Sequence, residues 1–160
     1  MIDRLDPLSK IMDWRRVAEW RRTAAAPVVF TNGVFDLLHP GHIDVLLGAR
    51  AQGKSLVVGV NSDQSVKRLK GPARPIRNAA ERCYVLAALE AVDAVVTFED
   101  DTPRELINIV RPDVLVKGGD YAEDTVVGAS EVRAWGGRVV IIPLTPGHST
   151  TTTIERLRGG

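Results

Sequence analysis

An α/β doubly wound parallel sheet with five main strands is the fold this sequence predicts, over a single domain of residues 1–160. Three observations predict it. Short apolar runs at 28–30, 55–60, 93–98, 114–116 and 139–142 alternate with amphipathic helical segments. The first strand–helix–strand unit, 28–60, is too short for anything but a right-handed parallel crossover. The turns after the first and last strands both run into polar helix N-termini, and in such a sheet both can face one crevice at the topological switch point.

The elements follow in order. Residues 7–22 form a first helix, with Leu8, Ile11, Met12, Val17 and Trp20 as a rough apolar stripe among arginines; Trp14 and Trp20 belong to packing on the domain or a neighbouring subunit. Residues 23–27 connect to the core, 27–160. The strand at 28–30 enters the turn Thr31-Asn-Gly-Val-Phe-Asp-Leu-Leu-His-Pro-Gly-His42, and Ile43, Leu46, Leu47 and Ala51 continue at helical spacing until Gly53 stops the helix. Gly33 permits a sharp turn or close backbone approach. His39 and His42, three apart around Pro40-Gly41, add side-chain donors to amides and a dipole that favour an anion. The combination suits a polyphosphate. Metal ligation by the pair lacks a third ligand cluster at zinc-like spacing.

After the strand at 55–60, Ser62 or Asp63 caps a short helix, and Lys67, Arg68 and Lys70 fall near the carboxyl end of that strand, where open sheets bind ligands. Residues 71–77 are rigid and basic, a flap. Asn78 caps a helix at 78–90 carrying Val85, Leu86 and Leu89, with Arg82 near its polar margin and Cys83 as core packing. The acidic turn at 99–103 has Thr102 as cap and Pro103 at the first helical position of 104–110. Straight off the strand at 114–116 come Lys117, Gly118, Gly119, Asp120 and Tyr121: glycines for backbone approach, a carboxylate for a ribose or base, a ring for stacking. A helix at 130–135 closes with Gly136-Gly137. Finally Gly147 opens a turn beside His148, and Ser149, Thr150 and Thr151 begin a helix running to Arg158, a second anion-binding N-terminus.

Composition excludes several classes. The net charge of +1 removes any bulk electrostatic case for nucleic acid or an anionic membrane, and no apolar run approaches the ~20 residues of a membrane span. One cysteine rules out an internal disulfide framework, and the first residues carry no signal-peptide segment; a cytoplasmic protein is expected. Two anion-binding turns for one small ligand imply a nucleoside triphosphate, and Mg²⁺ would accompany it with Asp36 as the nearest carboxylate.

The string Gly33-Val-Phe-Asp-Leu-Leu-His-Pro-Gly-His42 resembles the signature of the cytidylyltransferase-like nucleotidyltransferases, whose His-x-Gly-His motif handles nucleotide phosphates. The stretches at 61–71, Glu81-Arg82, 89–93, Leu115-Val-Lys-Gly-Gly-Asp-Tyr121 and Ser149-Thr-Thr151 look like the adenylyltransferase of ADP-heptose synthesis, in a stand-alone form since no sugar-kinase domain precedes them. The resemblance implies a Rossmann-like fold and transfer of AMP from ATP to D-glycero-D-manno-heptose 1-phosphate for lipopolysaccharide or related glycans. It also implies a homo-oligomer, phosphate clamping by Lys67 and Arg82 with Lys70 as a weaker choice, and nucleotide contacts along Asn32, Gly33, Val34, Phe35 and Gly41. More distant glycerol-3-phosphate cytidylyltransferases share several motifs. They carry an isoleucine where this chain has His148 and an arginine where it has Leu144, so base and acceptor contacts in that loop stay open. The alternatives are CTP or GTP as donor, glycerol 3-phosphate as acceptor, or a non-catalytic nucleotide-binding regulator.

Overall fold

The computed structural model describes residue 3 and residues 5–160. Five parallel strands, β1 (Val28–Gly33), β2 (Ser55–Asn61), β3 (Ala94–Phe98), β4 (Val114–Gly118) and β5 (Arg138–Ile142), lie in the order β3-β2-β1-β4-β5. The chain leaves β1 for β2 on one side and later returns to place β4 on its other side. The switch point therefore lies between β1 and β4, as the alternation of elements predicts.

Period-two alternation splits the apolar residues between two faces. Phe30, Val57 and Leu115 face one core with Val17, Leu106 and Ile107. Val29, Leu56, Val58 and Val116 face the other with Leu46, Ala49 and Leu86. Helices α2 (Trp14–Thr23), α6 (Arg104–Val110) and α7 (Ala129–Ala134) cover the first; α3 (Pro40–Arg50) and α5 (Ala79–Ala87) cover the second. The remaining helices are α1 (Pro7–Lys10), α4 (Asp63–Lys70) and α8 (Thr150–Arg158).

Three sequence expectations need correction. The helix expected at 7–22 is two helices, because Asp13 caps α2 by accepting from the Arg16 amide at 2.7 Å. Between them Ile11 bridges Val95 and the Met12 amide donates to Val95, so this segment covers part of the β3 edge. Trp14 and Trp20 pack on the first core, with the Trp14 indole N–H donating to the Thr97 carbonyl. The helix expected at 78–90 ends at Ala87, although Asn78 caps it as expected. Thr102 caps nothing: Pro103 occupies the N-cap of α6 without a side-chain bond.

Gly53 does more than end a helix. A Cβ there would overlap the Pro27 carbonyl oxygen, which accepts the Lys54 and Ser55 amides and so sets where β2 starts against β1. Gly53→Ala should lose about 1–3 kcal/mol to overpacking against backbone that cannot yield. A denaturant melt measures it, with a wild-type midpoint as the contrary result.

Candidate active site

The cleft lies at the carboxyl ends of β1 and β4. It has a larger compartment of about 590 Å³ and a smaller one of about 240 Å³. Asn32, Gly33, Val34, Phe35, His42 and Lys117 line both, so the turn after β1 is their common wall. The smaller compartment is completed by His39, Gly41, Gly118 and His148; the larger by Lys70, Tyr121 and Ser149–Thr151 among others.

Local geometry explains the paired histidines. His39 is the N-cap of α3. Its Nδ1 accepts from the His42 amide at 3.4 Å, and the His42 Nδ1 accepts from the His39 amide at 3.3 Å. An imidazole whose Nδ1 accepts carries its proton on Nε2, so both residues keep an Nε2–H donor free. The rings stack at 3.8 Å between centroids. Burial and the neighbouring His39 push the His42 pKa down to about 4; burial and His148 lower that of His39. His42 is thus a neutral donor at pH 7. Gly41 is required because a Cβ would press on the His39 ring at 3.0 Å. Gly33 serves Phe35: a Cβ at 33 would meet that ring at 3.0 Å, and the ring backs His42 at 5.4 Å. Phe35 itself takes a positive φ of 50° to make the turn.

Asp36 is a latch. Its carboxylate is buried and accepts from the Arg74 Nε at 2.7 Å, from the Ile76 amide at 2.8 Å and from the Arg77 amide at 2.9 Å. Burial alone would raise its pKa, but these amides and the Arg74 guanidinium outweigh it and hold the carboxyl below its ordinary 3.8. The metal reading of Asp36 therefore fails the fit: its oxygens are spent pinning the 71–77 flap. No group of three or more His, Cys, Asp or Glu suited to a metal occurs among the described residues.

Arg82 is also misplaced by the sequence reading. It lies fully buried beneath the cleft rather than in it. Its Nη1 donates to the carbonyls of Val34 and Asn61, its Nε to that of Arg77 and its Nη2 to the Asp63 carboxylate. It positions the cleft, with all three of its nitrogens bonded to surrounding chain. Lys67 is exposed and lines no part of the cleft, whereas Lys70 does. Arg68 turns away to Asp101 and the Glu99 carbonyl.

The β4 turn divides similarly. Gly118 is tight against Val45, and Gly119 takes a φ of 134° with the Tyr121 ring folded where its Cβ would stand. Tyr121 lines the cleft while Asp120 is exposed outside it. Gly147 takes a φ of 84° in open space, and His148 stacks near His39 at 5.9 Å. Ser149 caps α8, accepting from the Thr152 amide at 3.4 Å, and the Thr150 hydroxyl donates to the Leu37 carbonyl at 3.0 Å, tying α8 to the first turn. Cys83 is buried with its thiol pushed up to about 11, which fits core packing.

Sequence reasoning missed Arg74 and Lys117 as cleft residues. Lys117 was findable, being the cation at the carboxyl end of β4; Arg74 depends on a partner 38 positions away and leaves no local signal.

Neutral imidazole donors at a helix N-terminus, set over the switch point of a parallel sheet, form a site of the kind that α/β folds use for nucleotide phosphates. The chain belongs to the cytidylyltransferase-like family, whose model matches residues 30–156. It is similar to the bifunctional protein HldE of Acidiphilium cryptum (strain JF-5), 53% identical over 166 residues that cover 99% of this chain and 34% of that one. The HldE of Koribacter versatilis (strain Ellin345) is 59% identical over 140 residues, 88% of this chain and 29% of that one. The chain thus spans about a third of the length of the curated relatives it matches. Among solved structures it is similar to the lipopolysaccharide core biosynthesis protein from Thermoplasma volcanium GSS1, with TM-score 0.60 and 29% identity over 74% of this chain and 95% of that one. A pantoate-beta-alanine ligase from Francisella tularensis shares the fold alone, with TM-score 0.59 and 16% identity over 85% of this chain and 68% of that one. No helix among the described residues is long and apolar enough to cross a membrane.

Two outcomes test this geometry. In an NMR titration the His42 ring should change charge near pH 4. Because the unfolded residue protonates near 6.5, this site favours the folded state less as pH falls from 6.5 to 4. A midpoint near 6.5 would contradict the cap. Asp36→Ala should cost about 3–5 kcal/mol at pH 7 by stranding a buried partner. The depressed carboxyl contributes fully above 3.8, so the gap between wild type and variant should close as pH drops below that value.

Proposed function

We propose that this chain transfers AMP from ATP to D-glycero-D-manno-heptose 1-phosphate, releasing pyrophosphate and giving ADP-heptose for a surface glycan. The observation that carries the chemistry is the reciprocal His39–His42 cap, which leaves two neutral Nε2–H donors at the cleft, His42 lining both compartments and His39 the smaller. The similarity to HldE and to a lipopolysaccharide core biosynthesis protein supports the pathway.

An acceptor phosphate oxygen forms a bond to the α-phosphorus of the triphosphate. The bond from that phosphorus to the oxygen shared with the β-phosphate breaks, and pyrophosphate leaves with its electron pair. The attacking oxygen is already anionic, so no base is needed; the work is alignment and charge stabilisation. His39 and His42 donate to the α- and β-phosphates, and the amides at the start of α8 with Ser149 receive the β,γ end. Gly118, Val45 and Leu144 give the smaller compartment the shape and apolar walls for a base and ribose. Mg²⁺ fits as the counter-ion carried by the triphosphate, not as a ligand of Asp36.

Pyrophosphate release should be measured with ATP, CTP and GTP, each with Mg²⁺ and either anomer of the heptose 1-phosphate. Turnover with ATP alone is expected. Turnover with only CTP or GTP would overturn the pathway and keep the chemistry, whereas silence with a folded protein would overturn both. His42→Ala should reduce turnover by about 10²–10³, the usual loss for one positioned donor, with a cooperative unfolding transition retained.

A further inference from the structure

The larger compartment contains cations that the histidine site does not use. Arg74 lines it with a side chain 11% exposed. Its Nε is held by Asp36, while its two terminal nitrogens make no hydrogen bond to the described residues. Lys70, from the last turn of α4, and Lys117, from the end of β4, line the same compartment. Neither makes an ion pair or a side-chain hydrogen bond among the described residues; Lys117 has only the face of Tyr121, at 5.4 Å. The two acids on this wall are already committed, Asp36 to Arg74 and the flap amides, and Asp101 to Arg68 at 2.8 Å. Three cations from three separate elements thus converge on one half-buried space whose one available carboxylate, Asp36, pairs with Arg74 alone. Burial, and secondarily the charge of Lys70, also lower the Lys117 pKa. Such an arrangement is costly when empty and is relieved by an anion.

We propose that Arg74, Lys70 and Lys117 form the subsite for the acceptor's phosphate monoester, with Asp36 as its positioning residue. This rests on the nucleotidyltransferase reading with a phosphorylated acceptor. The forked terminal nitrogens of Arg74 match two oxygens of a phosphate, and the lysines add point charges. Lys117 lines both compartments and so stands where the reactants meet, whereas Lys70 and Arg74 line only the larger one and His39 only the smaller. His42 lines both compartments and Ser149–Thr151 line the larger one, so the larger compartment takes the β,γ end on its α8 side and the acceptor phosphate at the basic set. It also selects a phosphorylated acceptor over a neutral hydroxyl.

The test compares wild type with Arg74→Gln, Lys117→Met and Asp36→Asn in steady-state pyrophosphate release from ATP and heptose 1-phosphate. Each variant should raise the acceptor KM by about 10–100-fold, the value of a charged hydrogen bond, while the ATP KM stays near wild type. Arg74→Lys should recover part of the loss. Arg74→Gln should add little on top of Asp36→Asn, which a purely structural Asp36 would not produce. An equal rise in the ATP KM, or an unchanged acceptor KM, overturns the proposal. Lys117→Met keeps the stem against Tyr121, so a folding defect in the Arg74 variants does not remove the test. If the wild type turns over no substrate pair, binding of inorganic phosphate followed by ³¹P NMR decides separately. Binding lost in Lys117→Met and Arg74→Gln sustains the anion site when the transferase reading has failed. Absent binding, or equal binding in wild type and variants, overturns it.

Discussion

The buried guanidinium of Arg82 gathers the segments from which the cleft is made. It bonds the carbonyl ends of the chain leaving β1 at Val34 and β2 at Asn61, the carbonyl before α5 at Arg77, and the carboxylate at the start of α4. A charge removed from water is tolerated only when it is paired and hydrogen-bonded, and here four of the five N–H donors bond to four separate pieces of chain. Displacing any one strands the cation. The geometry of the β1 turn, and with it Phe35 and the histidine cap, depends on that bond set.

Above this floor the cleft divides its electrostatics. At the start of α3 the donors are neutral imidazoles, kept so by burial and mutual proximity, reinforced by helix amides. On the β2 and β4 side the groups are full cations. Neutral donors suit a phosphoryl group whose charge redistributes during transfer, because they impose little penalty on either state. Full charges suit an anion that must be captured and held. Asp36 links the two sides, being set in the β1 turn while fixing a cation of the flap.

Much of this was legible from local chemistry. Short apolar runs, the Pro-Gly between two histidines and the hydroxyl run at 149–151 act over a few residues, and the structure carries them as expected. The failures share one cause. Arg82, Lys67 and Lys70 are all basic residues on helices beside the cleft, and side-chain type does not say which is buried under it, which faces solvent and which faces in. Asp36 resembles a metal carboxylate until its partners at 74, 76 and 77 are seen. The long first helix broke because Ile11 and Met12 are drawn to the β3 edge, a contact more than eighty positions distant.

The sequence by itself therefore determined the parallel α/β class, the order of strands and helices along the chain, and the two helix N-termini that open on the cleft. Periodicity and capping are short-range properties, so they are written into consecutive residues. Only the tertiary structure decided which charges are spent and which are free. That depends on pairing between segments distant in the chain: Arg74 with Asp36, Arg82 with Asp63, Arg68 with Asp101. The cations left over, Lys70 and Lys117, acquire their meaning from what those pairings consumed.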